Sequence, residues 1–216
     1  VTLALFDLDY TLLAGDSDHS WGLFLAEKGV ADTADFADRS DYYMGEYNAG
    51  RLDMREFLDF QLAPLAGTAR EDLVPLRQEF LDRRIEPMIT ESAQRLVAGH
   101  RDRGHTLVVI TATNDFVTRP IAERFGIDNL LATELEVVDG VFTGAIKGEP
   151  CFREGKVAHL DRWMSRAGVD LAGSWFYSDS RNDLPLLERV DHPVAVNPDA
   201  VLEAEAGRRG WPVCRL

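Results

Sequence analysis

Two hydrophobic periods alternate along this chain. Apolar runs of about four residues are separated by longer stretches in which apolar positions recur every three or four residues. Leu3-Ala4-Leu5-Phe6 predicts a buried strand, and Thr106-Leu107-Val108-Val109-Ile110 predicts a second, entered after the helix-stopping Gly104. Ser174-Trp175-Phe176-Tyr177 and Pro193-Val194-Ala195-Val196 predict a third and a fourth. Residues 90–103, 115–125, 155–166 and 183–190 carry helical spacing between them. Strand alternating with helix indicates a parallel sheet with crossover helices. Residues 136–143 centre on Asp139-Gly140, a dipeptide that tolerates the positive φ angles of a tight hairpin.

Residues 15–85 break this rhythm, with helical patterning and no strand pattern. Trp21, Phe24 and Leu25 share one helix face. Met54, Phe57, Leu58 and Leu62 share another, after Asp53 as N-cap. Asn48-Ala49-Gly50 and Ala66-Gly67-Thr68 read as turns. The expected fold class is α/β: a Rossmann-like doubly wound parallel sheet with an inserted all-helical domain. Residues 1–14 and 86–216 would form the core and 15–85 the insertion.

At 216 residues, one domain plus an insertion is the natural size. The longest apolar runs, such as Leu107–Ile110, are four residues, far short of the ~18 that a membrane span requires. The net charge of −14 argues against nucleic acid and anionic lipid as partners. Half of that excess lies in residues 15–85, which hold 15 acids against 8 bases. Cys151 and Cys214 are too few and too far apart for a disulfide framework. The opening residues carry neither a basic region nor a cleavage site, so a cytoplasmic enzyme is the expectation. The five histidines show no zinc-binding spacing.

The chemistry gathers where predicted strands end. Asp7-Leu8-Asp9-Tyr10-Thr11 follows the first strand, and a spacing of two turns both carboxylates to one side of an extended chain. Carboxylates that close repel unless a cation or a proton lies between them. Thr111-Ala112-Thr113-Asn114 ends the second strand and offers a hydroxyl and backbone amides to an anion, although taken alone Thr113 or Asn114 reads first as a helix cap. Lys156 opens a later helix. Ser178-Asp179-Ser180-Arg181-Asn182-Asp183 follows the third strand. In a parallel sheet these four elements converge on one edge, where open α/β sheets bind ligands.

The order DxDxT, strand-end Thr, Lys, DSxND resembles the haloacid dehalogenase (HAD) superfamily of aspartate-nucleophile phosphohydrolases, and the insertion resembles the helical cap of its phosphoserine phosphatase-like subfamily. The resemblance implies a phosphomonoesterase acting through an aspartyl-phosphate, with a phosphotransferase on the same scaffold as the alternative. It implies Asp7 as nucleophile and Asp9 as general acid and base. Mg²⁺ would be held by the Asp7 and Asp179 carboxylates and the Asp9 carbonyl, with Asp183 orienting its outer shell. Thr111, Ala112, Lys156 and Asn182 would bind phosphate, Asn182 by positioning Lys156 or the phosphate itself. Tyr10 stands where the family often has Gly, and Thr111-Ala112-Thr113 replaces a Ser-Gly-Gly.

The same alignment puts Asp16 at the family's ammonium-binding position, with Asp18 close by. Gln61 falls at the position of a carboxylate-gripping Arg, and Met54 at that of a preceding Phe. A neutral Gln cannot replace a guanidinium. Trp21, Tyr42, Tyr43 and Tyr47 could add cation–π or stacking contacts, although any single one reads first as core of the insertion. The expected substrate is therefore a small amine-bearing phosphate ester, histidinol phosphate first and phosphoserine second. The chain also resembles bacterial phosphoserine phosphatase-like proteins proposed as an alternative form of histidinol phosphatase. A monomer or weak homodimer is expected.

Overall fold

The computed structural model describes residues 1–30 and 33–216. Its strands are β1 (Leu3–Phe6), β2 (Thr106–Asn114), β3 (Asn129–Thr133), β4 (Leu135–Val138), β5 (Val141–Ile146), β6 (Trp175–Ser178), β7 (His192–Val196) and β8 (Val213–Cys214). Six of them form one parallel sheet in the order β3-β2-β1-β6-β7-β8. The order runs outward in both directions from the β1/β6 boundary, which is the doubly wound arrangement. The expected strands are present. The edge strands β3 and β8 are additional, and β2 extends past Ile110 to Asn114.

Both faces of the sheet are covered, so its strands are apolar throughout rather than alternating. Ala4, Phe6, Leu107, Val109 and Tyr177 pack into one core, and Leu3, Leu5, Val108, Ile110 and Phe176 into the other. The flanking helices are α5 (Glu91–Asp102), α6 (Asp115–Arg124), α7 (Glu154–Ala167), α8 (Leu184–Leu187) and α9 (Ala200–Arg209). The helix expected over 183–190 is reduced to the short α8, entered from a 3-10 turn over Arg181–Asp183. Strands β4 and β5 form the expected antiparallel hairpin, with Asp139 at φ 51° and Gly140 at φ 81°.

Between β1 and α5 lie α1 (Ser17–Glu27), α2 (Thr33–Ala49), α3 (Met54–Leu62) and α4 (Arg70–Phe80). Asn48 and Ala49 belong to α2 rather than to a turn, and Gly50, at φ 71°, ends it. Asp53 caps α3 as expected, accepting from Arg55 N at 2.9 Å and Glu56 N at 3.3 Å. The Trp21 ring lies 5.1 Å from Phe80 and 5.9 Å from Phe24, all three out of solvent. Each such burial is worth roughly 1.5–3 kcal/mol. The two connections of the insertion meet in an isolated antiparallel bridge between Leu13 and Ile89. A second tie joins it to the hairpin: Gly67 N donates to Phe142 O (2.9 Å), Phe142 N to Thr68 O (3.0 Å), and Arg70 N to Gly140 O (2.8 Å). Among the described residues no helix is long and apolar enough to cross a membrane.

His100, on α5, is 1% exposed. Its Nε2 lies 2.7 Å from the Tyr177 hydroxyl, and its Nδ1 lies 2.8 Å from His105 Nδ1. Burial, then the charges of His105 and Arg103, push it down to about 4 from the usual 6.5. The unfolded chain therefore takes up a proton near pH 6.5 that the folded chain refuses until about pH 4, so stability falls with pH across that window. The full effect is about 3 kcal/mol. Denaturant titrations at pH 7.5 and 4.5 should show a larger acid loss in the wild type than in His100→Gln. Equal losses would contradict this origin.

Candidate active site

β1 ends at Phe6, and Asp7 continues its ladder by donating its N–H to Tyr177 O at 2.9 Å. Asp7 thus stands in the crevice at the β1/β6 switch point, where strands depart in opposite directions. Lys156 reaches it from the first turn of α7. The preceding Gly155 has no room for a side chain: a Cβ there would stand 2.1 Å from Pro150 O. Lys156 Nζ donates to Asp7 Oδ1 (2.8 Å) and Asp183 Oδ2 (2.7 Å), and the Ser178 hydroxyl donates to that same Asp183 oxygen at 2.7 Å. Lys156 is 3% exposed, Asp7 7% and Asp183 2%.

Burial works against the Lys156 charge, but the Asp183 and Asp7 carboxylates outweigh it and hold the ammonium above the usual lysine range. Burial pushes Asp183 up to about 6 despite the opposing Lys156 charge, and Asp7 rises for the same reason. Removing one partner from such a buried pair costs about 3–5 kcal/mol. Asp179 stands beside them. Burial, then the charges of Asp7 and Asp183, push its carboxyl well above the carboxylate range.

Asp9 is held from two sides. The Thr113 hydroxyl donates to its Oδ2 at 2.8 Å, and Ser17 N, at the start of α1, donates to its Oδ1 at 2.6 Å. Burial and then the Asp16 charge raise Asp9 to about 7. Thr113 therefore does more than end a strand, and the cap of α6 is Asn114, accepting from Val117 N. Tyr10 adopts φ 54°, the left-handed conformation that glycine enters freely. Thr111 Oγ1 accepts from Thr113 N at 3.2 Å, which leaves its O–H to donate elsewhere.

A cavity joins these groups to the insertion. Asp7, Asp9, Thr111, Ala112, Thr113, Lys156, Asp179 and Asp183 line its floor. Asp16, Asp18, His19, Ser40 and Gln61 form one part of the roof, and Tyr43, Met44, Tyr47, Met54 and Phe57 form its apolar part. Asp16 is the N-cap of α1, accepting from His19 N at 2.8 Å. Gln61 Nε2 donates to Asp18 O at 2.8 Å. The Asp18 oxygen Oδ1 is out of solvent reach and has no hydrogen-bond partner among the described residues. Burial, then the charge of Asp16, hold the Asp18 carboxyl well above its ordinary range.

Three expectations need correction. Trp21 does not line the cavity, because helical phase turns it into the core against Phe24, Phe80 and Phe116. Asn182 meets neither Lys156 nor the cavity: its Oδ1 accepts from Arg153 Nε at 3.1 Å, and its Nδ2 donates to Ser180 Oγ at 3.2 Å. Tyr42 is 60% exposed and faces away. Sequence reasoning assigned no role to Ser178, although the hydroxyl stands within the run that carries Asp179 and Asp183.

The sequence matches the haloacid dehalogenase-like hydrolase family over residues 4–188. It is 44% identical to a histidinol-phosphatase of Neisseria meningitidis serogroup C (strain 8013), over 98% of this chain and 97% of that protein. It is 36% identical to phosphoserine phosphatase SerB1 of Mycobacterium tuberculosis (strain ATCC 25618 / H37Rv), over 97% of this chain and 69% of that protein. The crystal structure of a protein of unknown function from Bordetella pertussis Tohama I superposes with a TM-score of 0.92 at 45% identity, covering 99% of both chains. With the sheet order, the strand-end carboxylates and these likenesses together, the chain belongs to the haloacid dehalogenase-like hydrolase family.

Proposed function

We propose that this hydrolase is a Mg²⁺-dependent phosphomonoesterase acting on a small amine-bearing phosphate ester, with histidinol phosphate as the substrate. The observation that carries the chemistry is the buried Asp7–Lys156–Asp183 cluster at the switch point. Asp7 is the nucleophile: Lys156 holds its Oδ1, which leaves Oδ2 to attack phosphorus and form an aspartyl-phosphate. Asp9, held by Thr113 and Ser17, gives a proton to the leaving alcohol and later takes one from the attacking water. Thr111 donates its hydroxyl, and the backbone at Ala112 its N–H, to phosphoryl oxygens, with Lys156 supplying charge beside them.

The donor set fits a hard divalent cation. Asp7, Asp9, Asp179 and Asp183 crowd one floor against the single ammonium of Lys156, an excess of negative charge that needs compensation. Among the described residues no three His, Cys, Asp or Glu side chains converge as a ligand set. Magnesium is commonly bound through one or two carboxylates, with water and phosphate completing its shell. Asp7 and Asp179 would be those carboxylates, and Asp183 would steady the surroundings through Lys156. When bound, the ion would neutralise charge developing on the phosphoryl group.

The roof supports the substrate reading. The unpartnered Asp18 oxygen, with Asp16 beside it, suits a cationic group, and Tyr43, Met44, Met54 and Phe57 suit a flat ring. No arginine is found among the described lining residues, Arg51 is paired with Glu46 outside the cavity, and Gln61 is engaged with the backbone. A substrate carboxylate would therefore meet no guanidinium among the described lining residues. The 44% identical relative is named for histidinol phosphate, and phosphoserine remains the competing substrate.

Three outcomes are expected. Asp7→Asn should lower kcat by about 10³ or more with an unchanged circular dichroism spectrum, because the attacking oxyanion is lost with little change in volume. Retained activity in this variant would overturn the assignment. Mg²⁺ should raise the melting temperature in a concentration-dependent way, with EDTA reversing it, and an indifferent melting curve would count against the cation site. Under one Mg²⁺ concentration, kcat/KM should favour histidinol phosphate over phosphoserine. A tenfold preference for phosphoserine, about 1.4 kcal/mol of transition-state binding, would reverse the substrate reading.

A further inference from the structure

Arg153 occupies an uncommon position. It precedes Lys156 by three residues, and its backbone sits at φ 50°, ψ −119°, a conformation that residues bearing a side chain rarely adopt. Such conformations persist only where the surroundings enforce them. Here Lys156 N donates to the Arg153 carbonyl at 3.0 Å, and the guanidinium makes two bonds. Nε donates to Asn182 Oδ1 at 3.1 Å, and Nη2 donates to Gly50 O at 2.9 Å.

Those bonds belong to a closed ring. Asn182 Nδ2 donates to Ser180 Oγ at 3.2 Å, and the Tyr47 hydroxyl donates to that same oxygen at 3.0 Å. Gly50 N then donates to Tyr47 O at 2.9 Å and closes the circuit. The ring crosses between the C-terminal end of α2 in the insertion and two segments of the sheet domain. One is the loop carrying Asp179 and Asp183, and the other is the lead-in to α7 and Lys156. Only two of its links span the gap: Tyr47 to Ser180, and Arg153 to Gly50. Gly50 adopts φ 71°, where a side chain is strained, and a Cβ there would stand 2.5 Å from an Arg181 guanidinium nitrogen.

We propose that Arg153 is a positioning residue that couples seating of α2 to placement of the phosphate-site groups, a role that rests on the phosphatase reading above. The hairpin end of the insertion is stapled to β4–β5 by three backbone bonds, so the α2 end is the side that lifts to admit substrate. Lifting breaks both spanning links. Arg153 then keeps only its Asn182 bond, and the brace between the lead-in to α7 and the Asp179–Asp183 loop loses its anchor on α2. The site is fully placed only with α2 down, which ties turnover to closure.

The test uses Arg153→Gly and Tyr47→Phe in the full chain. Glycine adopts the Arg153 backbone freely and so isolates the side chain, and Tyr47→Phe removes one oxygen. Amide hydrogen exchange should rise in both variants in peptides covering 47–51 and 180–183. A rise confined to the mutated segment would overturn the coupling. With p-nitrophenyl phosphate, each variant should lose about tenfold or more in kcat, with KM changed less. The double variant should be little worse than the worse single, because both break one ring. Additive losses, or a change in KM alone, would overturn the proposal. If the wild type hydrolysed no phosphate ester, the functional reading would fail, and the exchange measurement would still decide the ring.

Discussion

One ammonium group organises this molecule. Lys156 Nζ lies between Asp7 and Asp183 with all three residues almost fully buried, and it joins the ends of β1, β6 and α7 at a single point. A buried charge is tolerated only when paired and hydrogen-bonded. Gly155 lets the helix start pass Pro150, Ser178 satisfies Asp183, and the Asp7 amide stays in the sheet ladder. The apolar strands fix where the chain ends meet. The ion pairs then fix which atoms meet there.

The same cluster carries an imbalance that gives it a use. One ammonium faces four floor carboxylates, and two more acids, Asp16 and Asp18, stand in the roof. Burial first, and neighbouring like charges after it, raise a carboxylate's proton affinity, as at Asp179 and Asp18. A divalent cation and an anionic phosphoryl group suit the floor, and a substrate cation suits the roof. On the proposed reading the floor would take the reacting group and the roof the variable one, a division in which binding at the far end orients the near end.

Much of this was legible in the sequence because it rests on local rules. The four central strands, the Asp139-Gly140 hairpin and the Asp53 cap depend on short-range pattern and turn chemistry, and they appear where expected. Asp7, Asp9, Thr111, Lys156, Asp179 and Asp183 gather on one cavity floor because a parallel sheet places all its strand ends on one edge. What was not legible depends on long-range geometry. β3 is a half-buried edge strand whose Asn129-Leu130-Leu131 start has no alternation to mark it. Trp21 faces the core rather than the cavity through the phase of α1 against Phe80, a residue 59 positions away. Asn182 answers to Arg153, and the backbone of Arg153 cannot be inferred from its side-chain type.

The central claim is that Asp7 itself takes the phosphoryl group. The most direct test is rapid acid quenching of the wild-type protein during turnover of a phosphate ester, followed by borohydride reduction and peptide mass spectrometry. Borohydride converts an acyl phosphate of aspartate to homoserine, marking the side chain that carried it. The account predicts homoserine at position 7 and nowhere else. Homoserine at position 9, or no mark at all during steady turnover, would contradict it.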